Sequence, residues 1–220
     1  LYSLRDLPVS ARPSADVHAR PIAGAPPRQW EDARLVLPEP APGSARALRM
    51  AYQSGQTDPV QVLARLKGRI ESKDFGRSTH SPFVALCPER AQRAAEASRA
   101  RYRDGGVLGP LDGVPVPVKD EHHLAGLPTR GGTAYLEHPV DEDSFCIRAL
   151  LAAGAVIPGK THTTEWGMNP WGMNPHFEMP RNVWSSAHGA GGSSTGSGVA
   201  VALGMAPVAI GSDGGGSIRI

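Results

Sequence analysis

The sequence predicts an α/β fold in which a buried sheet is covered by helices on both faces. Three observations carry that expectation. Segments with apolar residues at helical spacing alternate along the chain with short β-branched runs, the order expected of a domain layered from helices and a sheet. The run Ala155-Val156-Ile157 lacks polar alternation, as a parallel strand covered on both sides requires. A length of 220 residues, 40% of them hydrophobic and 20% charged, suffices for a sizeable core.

Residues 1–42 come first and hold eight prolines between Pro8 and Pro42 with little apolar periodicity. They read as an irregular proline-rich arm ahead of a folded domain over residues 43–220. Ser44 to Ser54 predicts a short helix stopped by Gly55. Asp58 as cap and Pro59 at the first helical position then open a second helix with a stripe of Val60, Val62, Leu63, Leu66 and Ile70. Phe83 to Leu86 is a strand, and Glu89 to Arg103 a helix stopped at Asp104-Gly105-Gly106.

From Gly109 to Asp120, β-branched residues alternate with prolines, which donate nothing to a ladder. That pattern predicts a short, edge-like or interrupted strand presenting Lys119 at its end. Thr129 to Thr133 is a polar glycine loop. Asp141 to Ala153 reads as a helix with an acidic start, an Ile147, Leu150 and Leu151 face and a stop at Gly154, followed by the Ala155–Ile157 strand. Trp166 to Trp184 opens with a near-repeat, Trp-Gly-Met-Asn-Pro at 166 and again at 171, too short for a repeat architecture and read as a long ordered loop. Ser194 to Leu203 is a helix of small residues suited to tight packing on a sheet, and Val208 to Gly211 a short strand leading to Ser217.

Several function classes drop out on composition. A net charge of +2 with scattered Lys and Arg offers nucleic acid no basic patch. The longest apolar run, Val199 to Ile210, is short and carries Gly204 and Pro207, so no membrane span is expected. The N-terminal stretch shows no basic-then-apolar pattern, and the location expected is cytoplasmic. Cys87 and Cys146 stand far apart and read as two ordinary thiols. No metal or other cofactor is expected: His122 and His123 are sequence neighbours that point different ways, and His162 with Glu165 lacks a third ligand. Nor does any histidine stand out as the base of a Ser-His-Asp triad.

Gly154 to Thr161 matches the phosphate-loop pattern GxxxxGK[ST], but the order is inverted. A phosphate loop follows a strand and opens a helix, whereas here the helix precedes and strand-like Val156, Ile157 and Pro158 fill the loop. The expectation is a helix-to-strand turn, with nucleotide binding as the alternative.

Two serines wrapped in glycine, Ser193 and Ser217, flank a run of small apolar residues. Gly214, Gly215 and Gly216 free the backbone ahead of Ser217, so that several amide N–H groups can converge about 3 Å from its hydroxyl, as an oxyanion requires. By itself a Gly-Ser segment is more often a turn or linker. Lys119 follows an apolar run, and a lysine can act as a base only when burial or neighbouring positive charge keeps it neutral. Its ordinary reading is a solvated strand end.

Four segments taken together, Pro115-Val116-Pro117-Val118-Lys119-Asp120, Gly159 to Glu165, Gly191 to Ser197 and Gly211 to Arg219, resemble the amidase signature family in order and spacing, over roughly Ser44 to Ile220. The resemblance implies a mixed, largely buried α/β/α sheet of which this chain supplies the N-terminal part, with the sheet and acyl pocket continuing beyond Ile220. It implies Ser217 as the acylated nucleophile, Ser193 in a cis peptide as proton relay and Lys119 as neutral base. Amides of Gly214, Gly215, Gly216 and Ser217 would form the oxyanion hole. Ser212 would support Lys119 and Ser193, Asp213 and Arg219 would brace the turn as an ion pair, and Ser194 would add a hydrogen bond. Thr195 and Gly198 depart from the glycine and alanine common in the family. The expected partners are a small-molecule amide and the C-terminal remainder of the protein, with a homodimer possible. The other readings are an inactive scaffold and the ammonia-releasing subunit of a tRNA-dependent amidotransferase.

Overall fold

The computed structural model describes residues 43–71 and 81–220, so the proline-rich arm lies outside the described residues. Helix α1 (Ala45–Gln53) starts where Ser44 Oγ accepts from the Ala47 amide at 3.2 Å, and α2 (Pro59–Glu71) where Asp58 Oδ1 accepts from the Gln61 amide at 2.9 Å. Asp58 is the cap the sequence predicts, and α1 begins one residue after its predicted start at Ser44. The buried face of α2 presents Leu63 to Ala91 and Ala95 of α3 (Pro88–Asp104) and to Val156. Small residues on α3 let the two helices approach, and α3 ends at left-handed Gly105.

The sheet is short and mixed. Strand β1 (Phe83–Leu86) runs antiparallel to β3 (Gly159–Thr161), and β3 runs parallel to β2 (Val118–Lys119), in the order β1-β3-β2. Register decides what each face carries. Val118 pairs with Lys160 and Lys119 with Thr161, so Lys119 and Thr161 share one face. On that face lies α5 (Thr195–Ala202), whose Ser197 hydroxyl meets Thr161 Oγ1 at 2.8 Å. On the other, Val118 packs with Leu124, Ile157 and Ile147 of α4 (Phe145–Ala152). Helices therefore cover both faces, as the sequence predicts.

Four expectations need correction. The lysine-bearing strand is interrupted but not an edge: beyond β2, Ile210 accepts from the Lys119 amide and donates to Pro117 O, both at 2.9 Å. Only Ile210 of the predicted Val208–Gly211 strand pairs in this way. Helix α4 starts at Phe145 and not at Asp141, because the Asp143 carboxylate is engaged by the Arg90 guanidinium and by the Ala125 amide at 2.8 Å. Within Ala155–Ile157 only Val156 bridges, to Pro115; regular pairing resumes after Pro158, which has no N–H to give. Among the described residues no helix is long and apolar enough to cross a membrane.

Candidate active site

The register of β2 and β3 aims the Lys119 side chain at the start of α5, where it is completely buried. Its Nζ lies 2.7 Å from Ser193 Oγ, 2.7 Å from Ser212 Oγ and 3.2 Å from Glu121 Oε1. Ser212 gives its own proton to Glu121 Oε2, so its oxygen can only accept from Lys119. Two directions around Nζ are thereby set as donations, toward Ser212 and Glu121. The third meets Ser193, where the amine donates if charged and accepts if neutral. Burial pushes the amine below the ordinary lysine range, with the Glu121 carboxylate opposing.

Ser193 follows a cis peptide bond from Gly192, the feature expected of it by resemblance. Ser194 exchanges hydrogen bonds with the backbone of Ser212, its hydroxyl donating to the carbonyl at 3.1 Å and accepting from the amide at 3.2 Å. Thr195 Oγ1 donates to Gly191 O at 2.9 Å, so the residue that departs from the family glycine ties down the serine turn.

The turn carrying Ser217 is held by Asp213, which pairs with Arg219 through two contacts of 2.9 Å and accepts from the Gly216 and Ile218 amides at 2.8 and 3.2 Å. The guanidinium holds the Asp213 carboxyl well below the usual carboxylate range. The same contacts bear on the amides expected at the oxyanion hole. The Gly216 amide donates to Asp213, and among the described residues the turn amides that donate to no protein group are those of Asp213, Gly214, Gly215 and Ser217. Ser217 itself is half-buried, and its carbonyl accepts from the Ser194 amide at 3.0 Å. Its hydroxyl makes no hydrogen bond among the described residues. The structure thus joins Lys119 to Ser193 and brings Ser217 to the neighbouring backbone without closing the Ser193–Ser217 contact.

A family model described as Amidase matches residues 62–220. The chain belongs to the amidase signature family. Among curated relatives, AmiA2 of Mycobacterium tuberculosis, described as an amidase, is 46% identical over 151 residues, 69% of this chain and 31% of that protein. The fatty acid amide hydrolase of Arabidopsis thaliana is 33% identical over 210 residues, 94% of this chain and 32% of that protein. A glutamyl-tRNA(Gln) amidotransferase subunit of Chloroflexus aurantiacus is 36% identical over 174 residues, 79% of this chain and 35% of that protein. The solved peptide amidase of Stenotrophomonas maltophilia superposes with a TM-score of 0.74 at 31% identity, covering 80% of this chain and 37% of that one. The chain therefore spans about a third of the length of the curated relatives it matches.

In this amidase-family chain the two Trp-Gly-Met-Asn-Pro segments buttress the serine turn. A Cβ on Gly167 (φ 66°) would stand 2.9 Å from Glu121 Oε1 and 3.2 Å from Ser193 Oγ, and one on Gly172 (φ 78°) 2.6 Å from Gly191 O. Both positions need glycine for its positive φ and for the close approach. Beside Gly167, Trp166 lines a cleft of about 420 Å³ together with Glu121, His123 and Thr129.

Sequence reasoning passes over Glu121. Strand β2 ends at Lys119 and the chain turns there, the His122 amide donating to Lys119 O at 3.1 Å, so no strand alternation in the sequence marks Glu121 as a neighbour of the amine. The phosphate-loop match fails in the structure: Gly159 to Thr161 is strand β3, and Lys160 is buried against Asp120 Oδ1 at 2.6 Å. His122 Nδ1 lies 3.3 Å from Cys146 Sγ, His162 is fully buried, and Glu165 meets His176. Cys87 and Cys146 are free. Among the described residues no three His, Cys, Asp or Glu side chains are grouped to hold a metal.

Proposed function

We propose that this chain carries the proton relay and nucleophile of an enzyme that hydrolyses carboxamide C–N bonds through an acyl-enzyme on Ser217. One observation carries the reading: a fully buried lysine amine 2.7 Å from the hydroxyl of Ser193, itself at the head of α5. Lys119 takes a proton from Ser193 as Ser193 takes one from Ser217, and the Ser217 oxygen attacks the carbonyl. The amides of Gly214, Gly215 and Ser217 then have free N–H groups for the tetrahedral oxyanion. The relay runs back to protonate the leaving amine, and water, deprotonated by the same route, releases the acid.

The substrates we infer are linear amides other than peptide bonds. A second reading, release of ammonia as one component of an amidotransferase, is favoured by the similarity to the Chloroflexus amidotransferase protein. Stable copurification with tRNA or partner subunits would select it.

The test is covalent labelling. A fluorophosphonate should modify Ser217, located by peptide mass spectrometry, and Lys119→Met should slow labelling by about a hundredfold or more, in the range of general-base contributions. An adduct mapping elsewhere, or a Ser217→Ala variant that hydrolyses amides at the parent rate, refutes the reading and leaves an inactive scaffold.

A further inference from the structure

Glu121 is the ionisable group of the site that the relay does not use. Its carboxylate spans two of the three neighbours of Lys119 Nζ, accepting from the amine at 3.2 Å through Oε1 and from the Ser212 hydroxyl through Oε2. Thr163 Oγ1 donates to Oε1 at 3.4 Å, and Gly167 leaves room against it that any larger residue would fill. With 27% of its side chain exposed, Glu121 also lines the cleft beside Trp166, whereas Lys119 is buried behind it. A hydroxyl-only cage around a buried amine would favour the neutral base. A carboxylate in direct contact does the opposite.

We propose that Glu121 is a positioning residue that sets the pH range of the relay: through Oε1 and the Ser212 bridge it orients Lys119 toward Ser193 and, by its charge, holds the amine protonated until higher pH. This rests on the relay assigned to Lys119, Ser193 and Ser217. The charged and titratable groups around the amine are Glu121 on its own segment, Asp213 from the Ser217 turn and His122 from the following loop. Asp213 is occupied by Arg219, and the His122 ring lies against Cys146. Glu121 is the anion in contact with the amine and open to the cleft.

Glu121→Gln has a signature that a purely structural role would not produce. The amide oxygen can still accept from Lys119, and the NH2 that replaces Oε2 donates to the Ser212 oxygen, so the contacts stay in place with the Ser212 one reversed while the charge is removed. Neutral Lys119 then forms at lower pH. The acid limb of fluorophosphonate labelling should therefore move down by about one pH unit or more, the size expected when an opposite charge is removed at this distance.

A second readout needs no turnover. The sequence has four lysines, at 67, 73, 119 and 160, so side-chain nitrogen-15 resonances of lysine-labelled protein can be followed with pH, with Lys119 assigned from Lys119→Arg. Its titration should move down in Glu121→Gln in step with the labelling limb, and Glu121→Asp should restore part of the shift. Parent and Glu121→Gln titrating together, with labelling lowered evenly at all pH or unchanged, overturns the proposal. If the resonance shifts while Ser217 is never labelled, the charge coupling stands and the hydrolase reading fails, which separates the two.

Discussion

Replacing Lys160 by methionine tests whether this lysine holds the fold together or serves a phosphate. Its ammonium is fully buried and donates to Asp120 Oδ1 at 2.6 Å, Pro128 O at 2.8 Å and Thr129 Oγ1 at 3.0 Å. Methionine keeps the apolar stem and removes all three donors, leaving a carboxylate that is only 3% exposed without its counter-ion. Breaking a buried pair from one side costs about 3–5 kcal/mol, since the remaining charge is uncompensated. At about 2–4 °C per kcal/mol for a domain of this size, the melting temperature should fall by about 6–20 °C. The deficit should also depend on pH. Burial pushes Asp120 up and Lys160 down, each opposed by the other. Without Lys160 the folded-state pKa of Asp120 rises further above its unfolded value. Folded variant then takes up a proton more readily than unfolded variant, and the deficit in urea unfolding shrinks as pH falls from 7 toward 4. A loss under about 1 kcal/mol that is flat with pH would refute this account of the pair. Mg-ATP should protect neither protein.

His162 offers a second pH test: burial pushes it down to about 4, and neither ring nitrogen has a partner among the described residues. Unfolded chain protonates first on acidification, so this group's stabilisation is complete above about pH 6.5 and is lost toward pH 4, by up to about 1.4 kcal/mol per unit. His162→Phe should flatten that part of the stability curve, and equal slopes would contradict it. Gly172→Ala places a Cβ 2.6 Å from Gly191 O at a positive φ, and displacing the Ser193 turn should slow Ser217 labelling at least about tenfold. Gly198→Ala, inside α5 with nothing within 4 Å, should instead stabilise by about 0.5–1 kcal/mol and leave labelling unchanged.

Local sequence is enough wherever the interacting groups lie within a few residues of one another. Ser44 and Asp58 cap their helices, Gly105 ends α3, and the Asp213–Arg219 ion pair forms across six residues of one turn, all because the partners are covalent near-neighbours. The α/β class was legible for the same reason, whereas Lys119, Ser193 and Ser217 were singled out by the resemblance of four segments taken together, since each alone reads as a solvated strand end or a glycine turn. Whatever depends on partners far along the chain took the folded packing to fix. Lys119 reaches Ser193, 74 residues away, because its register with β3 turns it to the α5 face; a one-residue slip would send it to the α4 side. The same pairing puts Lys160 on the opposite face, where Asp120 buries a residue that in sequence resembles a phosphate-loop lysine. Glu121 enters the site through Ser212, 91 residues on, and the Gly216 amide finds its acceptor in Asp213, which folds back onto it. An amide or a carboxylate carries no mark in the sequence of which group will satisfy it, since in the folded core that choice falls to whatever the packing brings within hydrogen-bond reach.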